Sequence, residues 1–301
     1  MMPAILKRAR SSVFARVPFG LRPQVISSRP IADDTHEMTS ERRRKSVTVE
    51  AYGSLCDFID HVESEPQDTR VCRKSFFFDT SQTAKDAIES SGIPHPEVDL
   101  LLVNGTSRGF DAETNDGDQI QVYSREHPAV HLHPSYVRPE PLSDIKFLVD
   151  ENSGKLASAL LLLGFDTKID SRLNDADLAR ISNAEKRILL TRDIGLLKRS
   201  LVVHGYWLRS DNPRDQILTI VRRYDLWPIA RPITRCLECN CLLQPVAKEE
   251  VVNIVPPVAH ATYNEFFLCP NCGKAFWKGS HYQRMQLWLD DLRERLKTKA
   301  H

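Results

Sequence analysis

Apolar and polar positions change period along this chain, and the changes mark its elements. Val47-Thr48-Val49-Glu50-Ala51-Tyr52 alternates at period two, the pattern of a strand with one buried face. Ser75-Phe76-Phe77-Phe78 gives a second strand. Thr80 and Ser81 are placed to cap a helix through Ala84, Ala87 and Ile88 that stops at Gly92. Val98 to Gly105 reads as a strand entering a turn. Asn115-Asp116-Gly117-Asp118 is a further turn before the alternating strand Gln119-Ile120-Gln121-Val122-Tyr123. From residue 144 to 230 the pattern differs. Ile145-Lys146-Phe147-Leu148-Val149 is a short apolar run, and Lys155, Leu156, Ala159, Leu160 and Leu163 follow with helical spacing up to Gly164. Phe165 to Ile169 reads as an edge strand, Leu178 to Lys186 as a helix, Arg187 to Thr191 as a strand and Ile194 to Arg199 as a helix. Tyr206 to Arg209 is a further strand. Asp211 or Asn212 can cap the helix after it, with Pro213 in the first turn and a stripe of Ile217, Leu218, Ile220, Val221 and Tyr224. Strands alternating with helices predict an α/β unit, a mainly parallel sheet with helices on both faces.

The first half has another order: strand, strand, helix, strand, strand. That order, with the Val103-Asn104-Gly105 turn and the Asp116-Gly117-Asp118-x-Ile120-x-Val122 ending, resembles an α+β β-grasp (ubiquitin-like) domain, and its sulfur-carrier branch in particular. Carriers of that branch act through a free Gly-Gly. Here the last strand runs into Ser124-Arg125-Glu126-His127-Pro128, so a binding or docking module with a protein partner is expected.

Composition adds boundaries. The formal charge is +1 over 301 residues, so any nucleic-acid surface has to be local. No apolar run reaches membrane-span length. Residues 1–45 hold six basic residues from Lys7 to Arg29, with no acid before Asp33. A disordered basic N-terminal segment is expected, and a transit peptide has the same composition. Residues 126–143 hold His127, His131, His133 and four prolines, the mark of a stiffened linker. Of seven cysteines, Cys56 and Cys72 stand apart, while Cys236, Cys239, Cys241, Cys269 and Cys272 crowd the C-terminal third. That distribution fits a reducing compartment, and hence the cytoplasm, and a metal site better than a disulfide framework.

Two chemistries are visible. In an open parallel sheet the active crevice lies outside the carboxyl ends of the strands, and Asp150, Asp193 and Asp211 all fall there. Asp175 and Asp177 stand at the start of the intervening helix. Acids held close together are costly unless a cation neutralises them. Mg²⁺ or Mn²⁺ on such oxygens activates water and shields a phosphoryl group. Each acid also has a structural role open to it: Asp211, Asp175 and Asp177 as helix caps, Asp150 and Asp193 as strand ends. Separately, Cys236-x-x-Cys239 and Cys269-x-x-Cys272-Gly273 are two knuckles with the ligand set of a structural Zn²⁺ site. Residues 240–268 between them are long for a ribbon, so an inserted loop or strand is expected. Cys241 is left as a spare.

The runs Lys146-Phe147-Leu148-Val149-Asp150-Glu151-Asn152, Gly154-Lys155-Leu156-Ala157, Leu163-Gly164-Phe165-Asp166-Thr167 and Arg187-Ile188-Leu189-Leu190-Thr191-Arg192-Asp193 resemble the PIN-like ribonuclease family named after the C-terminal region of the Mut-seven exonuclease. The knuckles, Pro245 to Val251, Val255-Pro256-Pro257 and Phe276 to Met285 continue the resemblance, which spans residues 145 to 288. In many members a ubiquitin-like domain comes first. The resemblance implies a divalent-metal-dependent ribonuclease. Asp150 matches the first-strand acid, Asp193 the acid of the Thr-x-Asp motif, and Asp177 or Asp175 the helix-start acid, with Asp177 favoured. Asp211 would be the fourth. Asp150 and Asp193 would hold Mg²⁺ or Mn²⁺. The expected layout is a β-grasp domain (46–125), a linker (126–143), a PIN-like RNase domain (144–230), and a zinc ribbon with a charged terminal helix from Gln286 (231–301). RNA is the expected partner. Trp277, Lys278, His281, Tyr282 and Arg284 mix aromatic and basic groups suited to it. The alternative is a non-catalytic RNA-binding or adaptor protein with the same fold.

Overall fold

The computed structural model describes residues 44–59 and 70–298. The expected basic segment lies outside them apart from Arg44 and Lys45, and Lys45 already opens the first strand.

β1 (Lys45–Tyr52) pairs antiparallel with β2 (Val71–Phe78), Val49 opposite Lys74. α1 (Ala84–Ser91) follows. Its N-cap is Thr83, not Thr80 or Ser81. The Thr83 hydroxyl accepts from the Asp86 N–H (3.2 Å), and the Asp86 carboxylate accepts from the Thr83 N–H (2.9 Å). That reciprocal box needs an acid three residues after the cap, and only Thr83 has one. Gly92 ends the helix at φ 115°, where a Cβ would overlap the Phe58 carbonyl. β3 (Leu100–Val103) turns through Asn104 and Gly105, both at positive φ, into β4 (Thr106–Ser107). β5 (Asp118–Tyr123) runs parallel to β1, Val49 opposite Ile120. The order β2-β1-β5-β3-β4, with Ala84, Ala87 and Ile88 of the helix buried against Val47, Val49 and Ile120, is the ubiquitin-like β-grasp arrangement. Ile88 is fully buried, and a side chain of that size contributes about 1.5–3 kcal/mol.

Two expectations change here. Cys56 and Cys72, read as isolated thiols, are joined by a disulfide with Cα atoms 5.4 Å apart. The β1–β2 register sets Cys72 opposite Ala51, five residues before Cys56, so the turn after β1 brings the two sulfurs together. The linker is also anchored. Val130 is buried with Leu100, Leu102 and Tyr123 on the sheet face away from α1, and the Ser135 hydroxyl donates to the Asp99 carbonyl (2.6 Å). His127 packs its ring against Tyr123 and Tyr52.

The second sheet is parallel, in the order β7-β6-β8-β9. β6 is Lys146–Val149, β7 Asp166–Ile169, β8 Ile188–Thr191 and β9 Gly205–Trp207. Both faces are covered, which explains the unbroken apolar runs. Phe147, Val149, Ile188 and Leu190 face α2 (Gly154–Leu162) and α5 (Pro213–Arg223). Leu148 and Leu189 face α3 (Asp175–Ala184) and α4 (Ile194–Leu197). α3 begins earlier than expected, at Asp175, because Asn174 caps it by accepting from the Asp177 N–H (3.0 Å). Asn212 caps α5.

The β-grasp half docks against β9. Glu97, fully buried, accepts from the Trp207 N–H (2.6 Å). Its other oxygen faces Arg209 (3.5 Å) and Arg223 (4.0 Å). Burial pushes the Glu97 carboxyl up, and the two arginines pull against that. Arg209 also bonds Asp57 (2.8 Å) and lies over the Phe58 ring.

The remainder forms the sheet β10 (Gln244–Val246), β11 (Phe266–Leu268) and β12 (Ala275–Trp277). The long spacing between knuckles holds β10, α6 (Pro257–Thr262) and β11. The final helix α7 starts at Ser280, not Gln286, and runs to Thr298. It is more than a terminal cap, since Leu289 and Leu292 enter the core between the parallel sheet and α2 and α5. Among the described residues no helix is long and apolar enough to cross a membrane.

Candidate active site and metal centre

The strand ends β6 and β8 place two of the candidate acids beside each other through one hydroxyl. Asp150 follows Val149 and is 9% exposed. Its Oδ1 accepts from the Asn152 N–H (2.8 Å), which fixes the turn into α2. Its Oδ2 accepts from the Thr191 hydroxyl (2.6 Å). The same hydroxyl accepts from the Asp193 N–H (2.9 Å). Thr191 is fully buried, so it fixes one oxygen of Asp150 and the backbone of Asp193 at once. Asp193 is exposed, and its Oδ1 caps α4 by accepting from the Leu196 N–H (3.1 Å).

The other candidates stand apart. Asp175 pairs with Arg199 (3.6 Å) and Asp177 with Arg180 (3.1 Å), so neither serves as the helix cap, which is Asn174. Asp211 precedes the Asn212 cap, is 75% exposed at its side chain, and pairs with Arg192. Among the described residues, the group of metal-capable side chains that gathers is the cysteine cluster, not these carboxylates.

The oxygen donors at Asp150 and Asp193 are nonetheless of the type that Mg²⁺ or Mn²⁺ takes. Each carboxylate oxygen keeps a lone pair beyond its protein hydrogen bond. Ser153, in the turn that Asp150 opens, has a buried hydroxyl with no hydrogen-bond partner among the described residues. The donor set fits such an ion. Thr191 and Ser153 are the residues that sequence reasoning missed. Thr191 stood inside the Thr-x-Asp motif, which was the signal available.

The four knuckle cysteines converge. Sγ atoms of Cys236 and Cys239 are 3.5 Å apart, Cys236 and Cys272 3.8 Å, and Cys239 and Cys269 3.5 Å, with all four within 4.8 Å of one another. Four thiolates at about 2.3 Å from one Zn²⁺ stand about 3.8 Å apart, so the set fits a tetrahedral ion. Burial would push the Cys269 thiol up, but the N–H groups of Cys272 and Asn271 bring it down to about 7. Cys241 stays outside the cluster and offers its carbonyl to the Cys236 N–H (2.9 Å).

The first knuckle is seated on the parallel sheet. Asn240, at φ 63°, accepts from the Thr167 N–H (3.2 Å) of β7 and donates to Asp166 (2.8 Å). Leu237 packs against the core beneath α2. The chain entering the ribbon takes up the last carbonyls of α2: the Arg231 N–H donates to Leu163 (3.0 Å) and the Ile233 N–H to Leu162 (2.8 Å).

The comparisons agree with this arrangement. Residues 145–289 match the model of the Mut7-C RNAse domain. Residues 44–130 match that of the Mut7-C ubiquitin domain. The chain thus carries a Mut7-C RNAse domain with a Mut7-C ubiquitin domain in front of it. The Mut7-C RNAse match runs past the parallel sheet through the ribbon to α7, so the acid edge and the cysteine cluster lie in one family unit. Comparison with curated proteins and with solved structures returned no match.

Proposed function

We propose that this Mut7-C chain is a ribonuclease that hydrolyses RNA phosphodiester bonds with Mg²⁺ or Mn²⁺ at the edge formed by Asp150 and Asp193. The observation that carries this is the Thr191 hydroxyl held between the two acids, inside the region that matches the RNAse domain. A bound divalent ion would supply an activated water and charge neutralisation at phosphorus. The chain's own part is positioning. Thr191 and the Asn152 N–H fix both oxygens of Asp150, so its remaining lone pairs point in one set of directions. Asp193 presents a carboxylate at the solvent side of the same edge. Asp177 and Asp211 complete the set, with Asp211 released from Arg192 when an RNA phosphate takes that guanidinium. The cysteine cluster holds a structural Zn²⁺. The β-grasp domain (46–125), the linker (126–143), the RNase sheet (144–230) and the ribbon with α7 (231–301) act as one unit, with a protein partner on the β-grasp side. Four metal-binding thiolates favour the cytoplasm; the Cys56–Cys72 bond pulls the other way.

A second reading has its own observation. The acids gather as a pair and not as a group of three or four, which suits a non-catalytic RNA-binding or adaptor protein that keeps the fold. One experiment separates them. Purified chain with Mn²⁺ should shorten a labelled RNA, and Asp150→Asn and Asp193→Asn proteins with wild-type melting and zinc content should not. Wild type that binds RNA without cutting single-stranded or structured substrates under any divalent metal gives the adaptor reading.

A further inference from the structure

Two depressions meet at the first turn of α7. One, about 750 Å³, runs between α2, the start of α5, the first knuckle and α7. The other, about 490 Å³, lies against the ribbon sheet. His281 and Met285 line both, so the two adjoin there. The larger has Lys155, Arg214 and Arg284 on its walls and no carboxylate in its lining. Those three cations make no ion pair with described residues, whereas Arg172, Arg187, Arg209 and Arg223 all have carboxylate partners. Asp291, the acid that feels Arg214, is itself bonded to Arg295 (2.8 Å). Three cations without a carboxylate partner among the described residues thus share one depression that holds no acid.

The smaller depression supplies aromatic faces. Phe267 and Phe276 sit opposite each other on β11 and β12. The ribbon's own core takes Phe266, Ala275 and Trp277, the residues on either side of them in the alternation. Phe267 and Phe276 therefore stand on the sheet face away from that core. The far end of the groove is bounded by Lys155 in the first turn of α2 and by Asn212, the N-cap of α5, at the starts of the helices that follow Asp150 and Asp211.

We infer that these two adjoining depressions together form a track for single-stranded RNA, with bases stacked on Phe267 and Phe276 and phosphates drawn by Arg284, Arg214 and Lys155 toward Asp150. It rests on the ribonuclease reading for its substrate class, not for its chemistry. Single strands are favoured because aromatic side chains stack on unpaired bases, which a duplex does not present. Cations without carboxylate partners suit phosphates along the same path.

The test is fluorescence anisotropy with the full-length, zinc-loaded Asp150→Asn protein, without added divalent metal. The probes are a labelled 12-nucleotide oligoadenylate RNA and a 12-base-pair RNA duplex. The single strand should bind at least about 10-fold more tightly than the duplex. Arg284→Ala and Lys155→Ala should each weaken it several-fold and lower the log–log salt slope by about 0.7. Phe276→Ala should cost about 10-fold with little change in that slope. Arg108→Ala, on the β-grasp half, should leave binding unchanged. Zinc content and melting are checked for each protein; if Phe276→Ala loses zinc, the two charge variants decide alone. Duplex binding equal to single-strand binding, an unchanged salt slope in Arg284→Ala and Lys155→Ala, or an acidic decapeptide that competes as well as RNA would overturn the track. No cleavage occurs in this assay. Binding of the expected kind by a chain that never cuts RNA removes the nuclease reading alone, and cutting by a chain whose variants bind normally removes the track alone.

Discussion

Asn240→Ala tests how the cysteine knuckle is held to the parallel sheet. The substitution removes three hydrogen bonds at once, one accepted from the Thr167 N–H (3.2 Å), one donated to Asp166 (2.8 Å) and a long one accepted from the Arg235 guanidinium (3.4 Å) that adds little. The first is an ordinary backbone bond, worth about 1 kcal/mol. The second goes to a charged carboxylate, about 1.5–3 kcal/mol before discount, and partial exposure of Asp166 puts it at the lower end. Alanine must also take up the left-handed conformation that Asn240 holds at φ 63°, about 1 kcal/mol more. The expected loss is therefore about 3–4 kcal/mol, read as the shift in urea unfolding followed by circular dichroism with zinc content measured in parallel. Asn240→Gly loses the same bonds but accepts the backbone geometry, so about 1 kcal/mol should return. Zinc should remain bound in both, because Asn240 contributes no ligand. A loss below about 1 kcal/mol would show that Leu237 and its apolar contacts seat the ribbon without help from the side-chain bonds, and equal losses for alanine and glycine would remove the backbone contribution.

Three more expectations follow from the same geometry. Burial would raise the Asp166 carboxyl, but hydrogen bonds from Arg187 and Asn240 outweigh it and hold the group below its usual 3.8. A lowered carboxylate stabilises the fold fully above its ordinary range and loses that contribution as pH falls through the folded value. Wild type should thus exceed Asp166→Asn in stability by a constant margin above about pH 5, and the margin should shrink below about pH 4; a margin that grows in acid would contradict the assignment. Thr191→Val should keep the fold and cut Mn²⁺-dependent RNA cleavage about 10- to 100-fold, with Thr191→Ser recovering most of it. Unchanged cleavage in the valine protein would separate the hydroxyl from catalysis. Removal of zinc by a chelator, or Cys236→Ser, should unfold β10–β12 and also lower the melting temperature of the parallel sheet, since Leu237 and α7 share its core. Melting of the ribbon alone would mean that the two are energetically separate.

The strands were legible because burial writes itself into sequence period. Phe147-Leu148-Val149 and Ile188-Leu189-Leu190 are unbroken because helices cover both faces, and Val47-Val49-Ala51 alternates because α1 covers one. Helix starts were less legible. Thr80, Ser81 and Thr83 are all competent caps, and the acid at Asp86 selects the last. Asp175 and Asp177 drew attention as acids, while Asn174, a plainer residue, does the capping. At the site, the positions of Asp150 and Asp193 followed from where strands end. Their coupling through Thr191 did not, because it depends on two strands lying side by side in one register. The Arg192–Asp211 pair and the Cys56–Cys72 bond were hidden for the same reason: each joins residues that only the folded backbone makes neighbours.

Glu97 and Asn240 have a joint consequence. The parallel sheet has two outer strands, β7 and β9, and each has a backbone N–H satisfied by a side chain from a neighbouring part of the chain: Thr167 by Asn240 of the ribbon, Trp207 by Glu97 of the ubiquitin domain. A four-stranded sheet cut free of both would expose two ready templates for strand addition. The flanking modules thus act as bookends against self-association, whatever else they recognise. They are also not freely interchangeable. A replacement on either side would have to bring its own acceptor to the same amide.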